Sequence, residues 1–163
     1  MTKEEFTKDL SPWSSHRKLL YDALELTKHL NRPVLELGAG EGSTPFLRKY
    51  CKDNGLRFRS YDSNHDWAKR MGVYWAENWD DLNCWNIHWA VCLLDLAPGE
   101  YRKIALMKLN ADIICIHDSE KPGWNSSDYK IRPLFSKFKY VIDDIPNVVG
   151  QPWTTLVSNA IKL

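Results

Sequence analysis

The spacing of apolar positions divides the chain into short buried-type runs separated by amphipathic stretches. Leu19, Leu20, Ala23, Leu24 and Leu26 fall on one helical stripe, with Ser14 or Ser15 as the expected cap and Asn31-Arg32-Pro33 as the stop. Ahead of it, residues 1–13 read as a polar, loose segment closing at Ser11-Pro12. Val34 to Leu37 is a short apolar run led by a branched residue, the pattern of a buried strand. A helix beginning over 45–50 is ended by the turn signal Asp53-Asn54-Gly55. A second strand over 56–61, a helix over 64–71 and a short strand over 72–75 follow. The run 87–94 is nearly all apolar, as a parallel strand covered on both faces would be. A helix over 99–109, a buried strand over 112–116, a turn-rich loop over 121–128 carrying Trp124, and a helix over 129–138 interrupted by Pro133 come next. Strands over 140–144 and 154–158, joined by a loop over 147–152, close the chain, and no internal repeat or low-complexity segment is present.

The first strand breaks into Gly38-Ala39-Gly40-Glu41-Gly42-Ser43-Thr44, a strand, a tight turn and a helix start. Alternating glycines remove Cβ where the backbone turns sharply and a ligand comes close, and the amides that open the next helix suit an anionic group. A dinucleotide fingerprint needs its third glycine one residue later, where Ser43 stands, and the Gly-Lys-Ser/Thr of a phosphate-cradling loop is absent. Asp62 ends the second strand about twenty residues after the turn, the position of an acid that binds both ribose hydroxyls in nucleoside-binding α/β folds. Its competing reading is a cap for the helix over 64–71. Asp95 and the run His117-Asp118-Ser119 end two further strands, so two acids are expected in the crevice where open α/β sheets place their ligands.

Glu36 followed by Gly-x-Gly-x-Gly resembles the first motif of the class I S-adenosylmethionine (SAM) dependent methyltransferases, and the resemblance runs from about Ser15 to the end of the chain. It implies a Rossmann-like α/β fold: a mostly parallel seven-stranded sheet with an antiparallel last strand and helices on both faces. It also implies SAM as cofactor. Carried over by position, the motif residues Glu36, Gly38, Ala39, Gly40 and Gly42 would surround the methionine moiety. Ser43 or Thr44 would bind its carboxylate, and Asp62 with Ser63 the ribose. Glu77 and Asn78 would face the adenine amino edge, with Trp79 stacking on the ring, and Asp95 would border the cofactor.

The stretch from Asp95 to Ser119 is similar to the small-molecule O-methyltransferases, which implies Asp95, His117 and Asp118 as catalytic residues. It also implies a Mg²⁺ ion held by Asp95, Asp118 and Ser119, which would acidify a bound hydroxyl. The chain departs from that pattern. Pro98 stands near the position of the catalytic lysine, Ser119 replaces a ligand asparagine, and a histidine shortly after the first acid is missing. His117 is the alternative base for a metal-free route, or a residue that orders a neighbouring loop. His16, His29, His65 and His88 read as surface or packing residues.

Composition narrows the partners. The 163 residues are expected to form one domain, and 22 basic against 21 acidic residues give no broad field for nucleic acid or an anionic membrane. Asp95-Leu96-Ala97-Pro98 is a poor substitute for the Asn/Asp-Pro-Pro-Tyr motif of nucleic-acid methyltransferases. Cys51, Cys84, Cys92 and Cys115 have no CxxC spacing and read as free thiols of a reducing compartment. With no apolar signal region and no run long enough to cross a bilayer, the expected location is the cytoplasm. The expected activity is methyl transfer from SAM to a hydroxyl of a small molecule or sugar, with a homo-oligomer open as an assembly. The rivals are a SAM-binding module or partner subunit without catalysis, and another SAM-using enzyme on the same fold.

Overall fold

The computed structural model describes residues 1–8, 14–124, 129–146 and 151–163. Its elements in chain order are α1 (Lys3–Phe6), α2 (Arg17–Thr27), β1 (Val34–Leu37), α3 (Thr44–Asp53), β2 (Phe58–Asp62), α4 (His65–Met71) and β3 (Tyr74–Trp75), then β4 (His88–Leu94), α5 (Tyr101–Lys108), β5 (Asn110–His117), β6 (Tyr140–Asp144) and β7 (Thr154–Ser158). The seven strands form one sheet in the order β3-β2-β1-β4-β5-β7-β6. Strands β1 to β5 pair in parallel, and β7 runs antiparallel to both β5 and β6.

Alternation along the central strands splits the core into two layers. Val91, Leu93, Ile113 and Cys115 pack on one face with Leu20, Ala23 and Leu24 of α2 and Leu47 and Tyr50 of α3. Cys92, Leu94, Ile114 and Ile116 face the other way, against Ala105 and Leu106 of α5, Trp79, Trp89 and Phe135. With both faces covered, β4 and β5 have no polar side to show, which is why their sequences read as continuous apolar runs.

The helix ends follow local chemistry. Asn64 caps α4 by accepting from the Trp67 amide, and Gly72 closes that helix in the left-handed region. Asn31, also left-handed, ends the turn after α2 before Pro33. The cap expected at Ser14 or Ser15 is not formed: α2 starts behind His16, and the Ser14 hydroxyl instead accepts from the Arg17 guanidinium. The helix expected over 129–138 is a single 3-10 segment, Arg132–Lys137, because Pro133 supplies no amide to a longer one. β3 shrinks to two residues, and the loop expected over 147–152 lies largely outside the described residues. All four cysteines are free and buried, and no helix among the described residues is long and apolar enough to cross a membrane.

The expectation of a loose start is overturned over residues 1–8. Thr2 and Glu5 form a reciprocal capping box around α1, and the N-terminal ammonium sits 3.1 Å from Asp53. This short turn is fixed by burial: Phe6 is fully enclosed, edge-on to Tyr21, Phe46 and Tyr50 at 5.4, 5.9 and 6.1 Å. Phe6→Ala should therefore cost about 3 kcal/mol of stability, as large-to-small core changes do. A urea denaturation midpoint that did not move would show α1 to be dispensable.

Candidate functional site

At the carboxyl end of β1 the chain turns at Gly38, whose φ is +93°. A Cβ there would lie 2.3 Å from the Asp95 carbonyl oxygen, so only glycine lets the turn pass against the segment that leaves β4. Glu36, fully buried, organises the rest of the turn. One of its carboxyl oxygens accepts from the Thr44 hydroxyl at 2.8 Å and the Ser60 hydroxyl at 2.5 Å, while Thr44 Oγ1 accepts from the Gly40 amide at 3.0 Å. Burial raises the Glu36 pKa to about 7 against the opposing hydrogen bonds of Ser43, Ser60 and Thr44. Glu36 and Thr44 thus shape the turn from beneath and are enclosed, which removes both from the expected ligand-contacting set. Ser43 is also buried, with its hydroxyl 3.5 Å from the Gly40 carbonyl. Gly40 and Gly42 remain partly exposed, and a cavity of about 400 Å³ beside Gly42 is lined by Glu5, Lys8, Ser14, Arg17, Glu41 and Phe46.

Asp62 meets this turn from β2. Its Oδ2 accepts from the Ala39 amide at 3.0 Å and its Oδ1 from the Asn64 amide at 2.8 Å, and the carboxylate stays partly open to solvent. The helix cap is Asn64, so Asp62 is not held in place as a cap. Ser63 Oγ and Trp79 Nε1 both donate to the Ala97 carbonyl, tying the end of β2 to the loop after β4. Trp79 is therefore core, and its ring is not free to stack on a ligand. Asn78 caps the 3-10 turn Trp79–Asp81 and also bonds Asp81, while Glu77 is exposed. Two other tryptophans flank Asp62: Trp67 donates to the Ala39 carbonyl, and Trp75, 46% exposed, donates to the Ser63 carbonyl. The sequence signal for them was their position one helical turn and one strand beyond Asp62.

The third group gathers at the ends of β4 and β5. His117 Nδ1 lies 3.3 Å from Asp95 Oδ2 and 3.9 Å from Asp118 Oδ1. Between the two acids runs Arg102 of α5. Its Nε donates to the Leu96 carbonyl, one terminal nitrogen to the His117 carbonyl and the other to Asp95 Oδ1 at 2.9 Å, with Asp118 Oδ2 at 3.6 Å. The Tyr129 ring covers the guanidinium at 4.2 Å and lies so close to Gly99 that a Cβ there would fall 2.0 Å from it. Asp118 holds a left-handed backbone, φ +51°, which Asp adopts more readily than most residues other than glycine.

Desolvation would raise the Asp95 pKa, but the His117 hydrogen bond and charge, with Arg102, bring it down to about 2. For His117 burial pulls the pKa down, and the hydrogen bond and charge of Asp95, with Asp118, outweigh it and raise it. His16 stands edge-on to His117 at 4.7 Å, 2% exposed, and neither ring nitrogen has a partner among the described residues. Burial first, then the neighbouring His117, lowers its pKa to about 3. Ser15 Oγ is 3.5 Å from His117 Nε2. Of the histidines read as surface or packing residues, His16 packs on His117, while His88 joins a polar cluster with Arg32 and Asp112.

The expected magnesium site does not fit these residues. Ser119 is enclosed, its hydroxyl 2.7 Å from that of Thr155 and away from the crevice. Asp95 and Asp118 already share a cation, the guanidinium of Arg102.

No family model matches the sequence, and no curated protein matches it. Solved structures resemble the fold across most of the chain. The delta-N METTL16 MTase domain has a TM-score of 0.55 at 13% identity over 88% of this chain and 82% of its own. A SAM dependent methyltransferase from Archaeoglobus fulgidus has 0.56 at 13% over 96% and 97%. Burkholderia thailandensis 1,6-didemethyltoxoflavin-N1-methyltransferase, with bound 1,6-didemethyltoxoflavin and S-adenosylhomocysteine, has 0.53 at 17% over 97% and 85%. The strand order and these likenesses show the class I methyltransferase fold.

Two buried groups of the site titrate in opposite senses. Glu36 holds its proton more tightly when folded, so its contribution to stability falls as pH rises from its ordinary 4.5 to about 7. His16 holds its proton less tightly when folded, so its contribution falls as pH drops from 6.5 towards about 3. Between pH 4.5 and 6.5 the slopes oppose in the intact protein. Thermal denaturation against pH should show Glu36→Gln losing stability more steeply on acidification and His16→Phe less steeply. Parallel profiles for the three proteins would contradict both assignments.

Proposed function

We propose that the chain is a SAM-dependent methyltransferase acting on a hydroxyl of a small molecule or sugar. The observation that carries this reading is the apposition of Gly38 and Asp95. The glycine turn and the carboxylate at the end of β4 touch through backbone, so a ligand on the one is within reach of the other. The residues fit SAM chemically: the partly exposed Gly40 and Gly42 leave room for the methionine moiety, the adjoining cavity carries Lys8 and Arg17 alongside Glu5 and Glu41, a mixed lining that suits a zwitterionic amino-acid end, and Asp62 is placed for a ribose diol.

Bound SAM would supply an electrophilic methyl carbon to the acceptor oxygen, and S-adenosylhomocysteine would leave with the C–S electron pair. Asp95 does the orienting. With 29% of its side chain exposed and its oxygens fixed by Arg102 and His117, it offers the acceptor hydroxyl a preorganised hydrogen-bond acceptor. At a pKa of about 2 it is a weak base, so the released proton passes beyond it. His117 instead donates Nδ1–H to Asp95 Oδ2 across the 3.3 Å contact and fixes that oxygen, so the released proton leaves to solvent past the partly exposed Asp95. His117 is itself enclosed and acts through Asp95.

Calorimetric titration with SAM and S-adenosylhomocysteine, with NAD as control, tests the reading. Micromolar binding of both SAM compounds and none of NAD is expected. Asp62→Ala should weaken binding at least about tenfold, the scale of a lost hydrogen bond to a charged group. Asp95→Asn should keep S-adenosylhomocysteine binding and abolish transfer to hydroxyl acceptors. Absence of binding by the intact protein would remove the proposal, whereas binding without any methylated product from an acceptor panel would leave a SAM-binding module.

A further inference from the structure

We infer that Arg102 takes the place of a divalent cation in this site: its guanidinium is the fixed positive charge that holds Asp95 and Asp118 at the crevice, and a metal ion has no role there. Donor atoms of Asp95, His117 and Asp118 lie within 4.8 Å of one another, close enough for one cation to collect all three. The cation that collects them is Arg102. Asp95 turns Oδ1 to the guanidinium and Oδ2 to His117, so each of its oxygens already faces a nitrogen donor. Magnesium needs an octahedral shell at about 2.1 Å and keeps several waters. Here the guanidinium is 4% exposed, bonded to the carbonyls of Leu96 and His117 and roofed by Tyr129, so it is a fixed part of the fold that an ion would have to displace to take its place between the acids. An arginine also stays charged at any working pH and cannot be chelated away.

The role in methyl transfer rests on the function proposed above, but the cation claim is tested without SAM. Mn²⁺ titration of the whole protein is followed by electron paramagnetic resonance, for the intact chain and for Arg102→Met. The intact protein should leave Mn²⁺ free, and Arg102→Met, with both carboxylates released, should bind one ion. Binding by the intact protein that Asp95→Asn removes would overturn the inference, as would a folded Arg102→Met that binds none. Should Arg102→Met fail to fold alone, refolding is repeated with Mn²⁺: recovery supports substitution of one cation for another, and continued failure overturns it. A fault in the methyltransferase reading would show separately, as absent SAM and S-adenosylhomocysteine binding with these Mn²⁺ results unchanged.

Discussion

One buried guanidinium holds the working end of this sheet together. The hydrogen-bonded register between β4 and β5 ends at Leu94 and Ile116, and from the next residues onward Arg102 joins the two chains through the Leu96 carbonyl, the His117 carbonyl and the Asp95 carboxylate. Burying a charge costs several kcal/mol unless it is paired and its donors are satisfied. Arg102 meets both conditions, with Asp95 and Asp118 as counter-charges and Tyr129 over its face. The bonds are interdependent: without the guanidinium, two acids and two carbonyls would be left with the His117 ring alone between the carboxylates.

On the neighbouring strand β1, Glu36 has the corresponding role by a different electrostatic route. Among the described residues no cation pairs with it, so burial favours its neutral form, and it gathers the hydroxyls of Thr44 and Ser60 while Thr44 secures Gly40. One half of the crevice is therefore set by an acid near its neutral form and the other by a permanent cation. The halves meet where Gly38 passes the Asp95 carbonyl, a contact that no side chain at Gly38 would allow. Asp62 closes the arrangement from β2 by accepting from the Ala39 amide.

What could be read from the sequence divides along physical lines. Strand ends and glycine spacing are properties of the backbone, and Asp62, Asp95, His117 and Asp118 were visible because periodicity fixes where a strand stops. Side-chain direction beyond the strand is set by packing, and there the reading failed. Thr44 and Ser43 turn inward to satisfy the loop's own polar groups, Ser119 turns to Thr155, and Trp79 fills the core. Arg102 sits in a helix whose pattern marks it as an ordinary polar position, and only its long side chain reaching over the strand ends gives it a role. Phe6 was hidden because a lone aromatic in a polar stretch has no period, though it packs as firmly as any residue of the regular elements.

The start of α2 completes the charge balance. Leu20, Ala23 and Leu24 seat that helix on the core layer of β4 and β5, which brings His16 edge-on to His117 with no partner for either nitrogen among the described residues. A protonated His16 would add a second cation next to Asp95 and cancel the negative charge that Arg102 leaves on the Asp95–Asp118 pair. Its enclosure keeps the ring neutral, so two carboxylates face one guanidinium and the proton shared between Asp95 and His117. When His117 is neutral, one negative charge is left over, and it lies beside the glycine turn, where the proposed reaction would bring a sulfonium cation. His16 therefore stays neutral through its burial and the neighbouring His117, with both ring nitrogens unpartnered among the described residues.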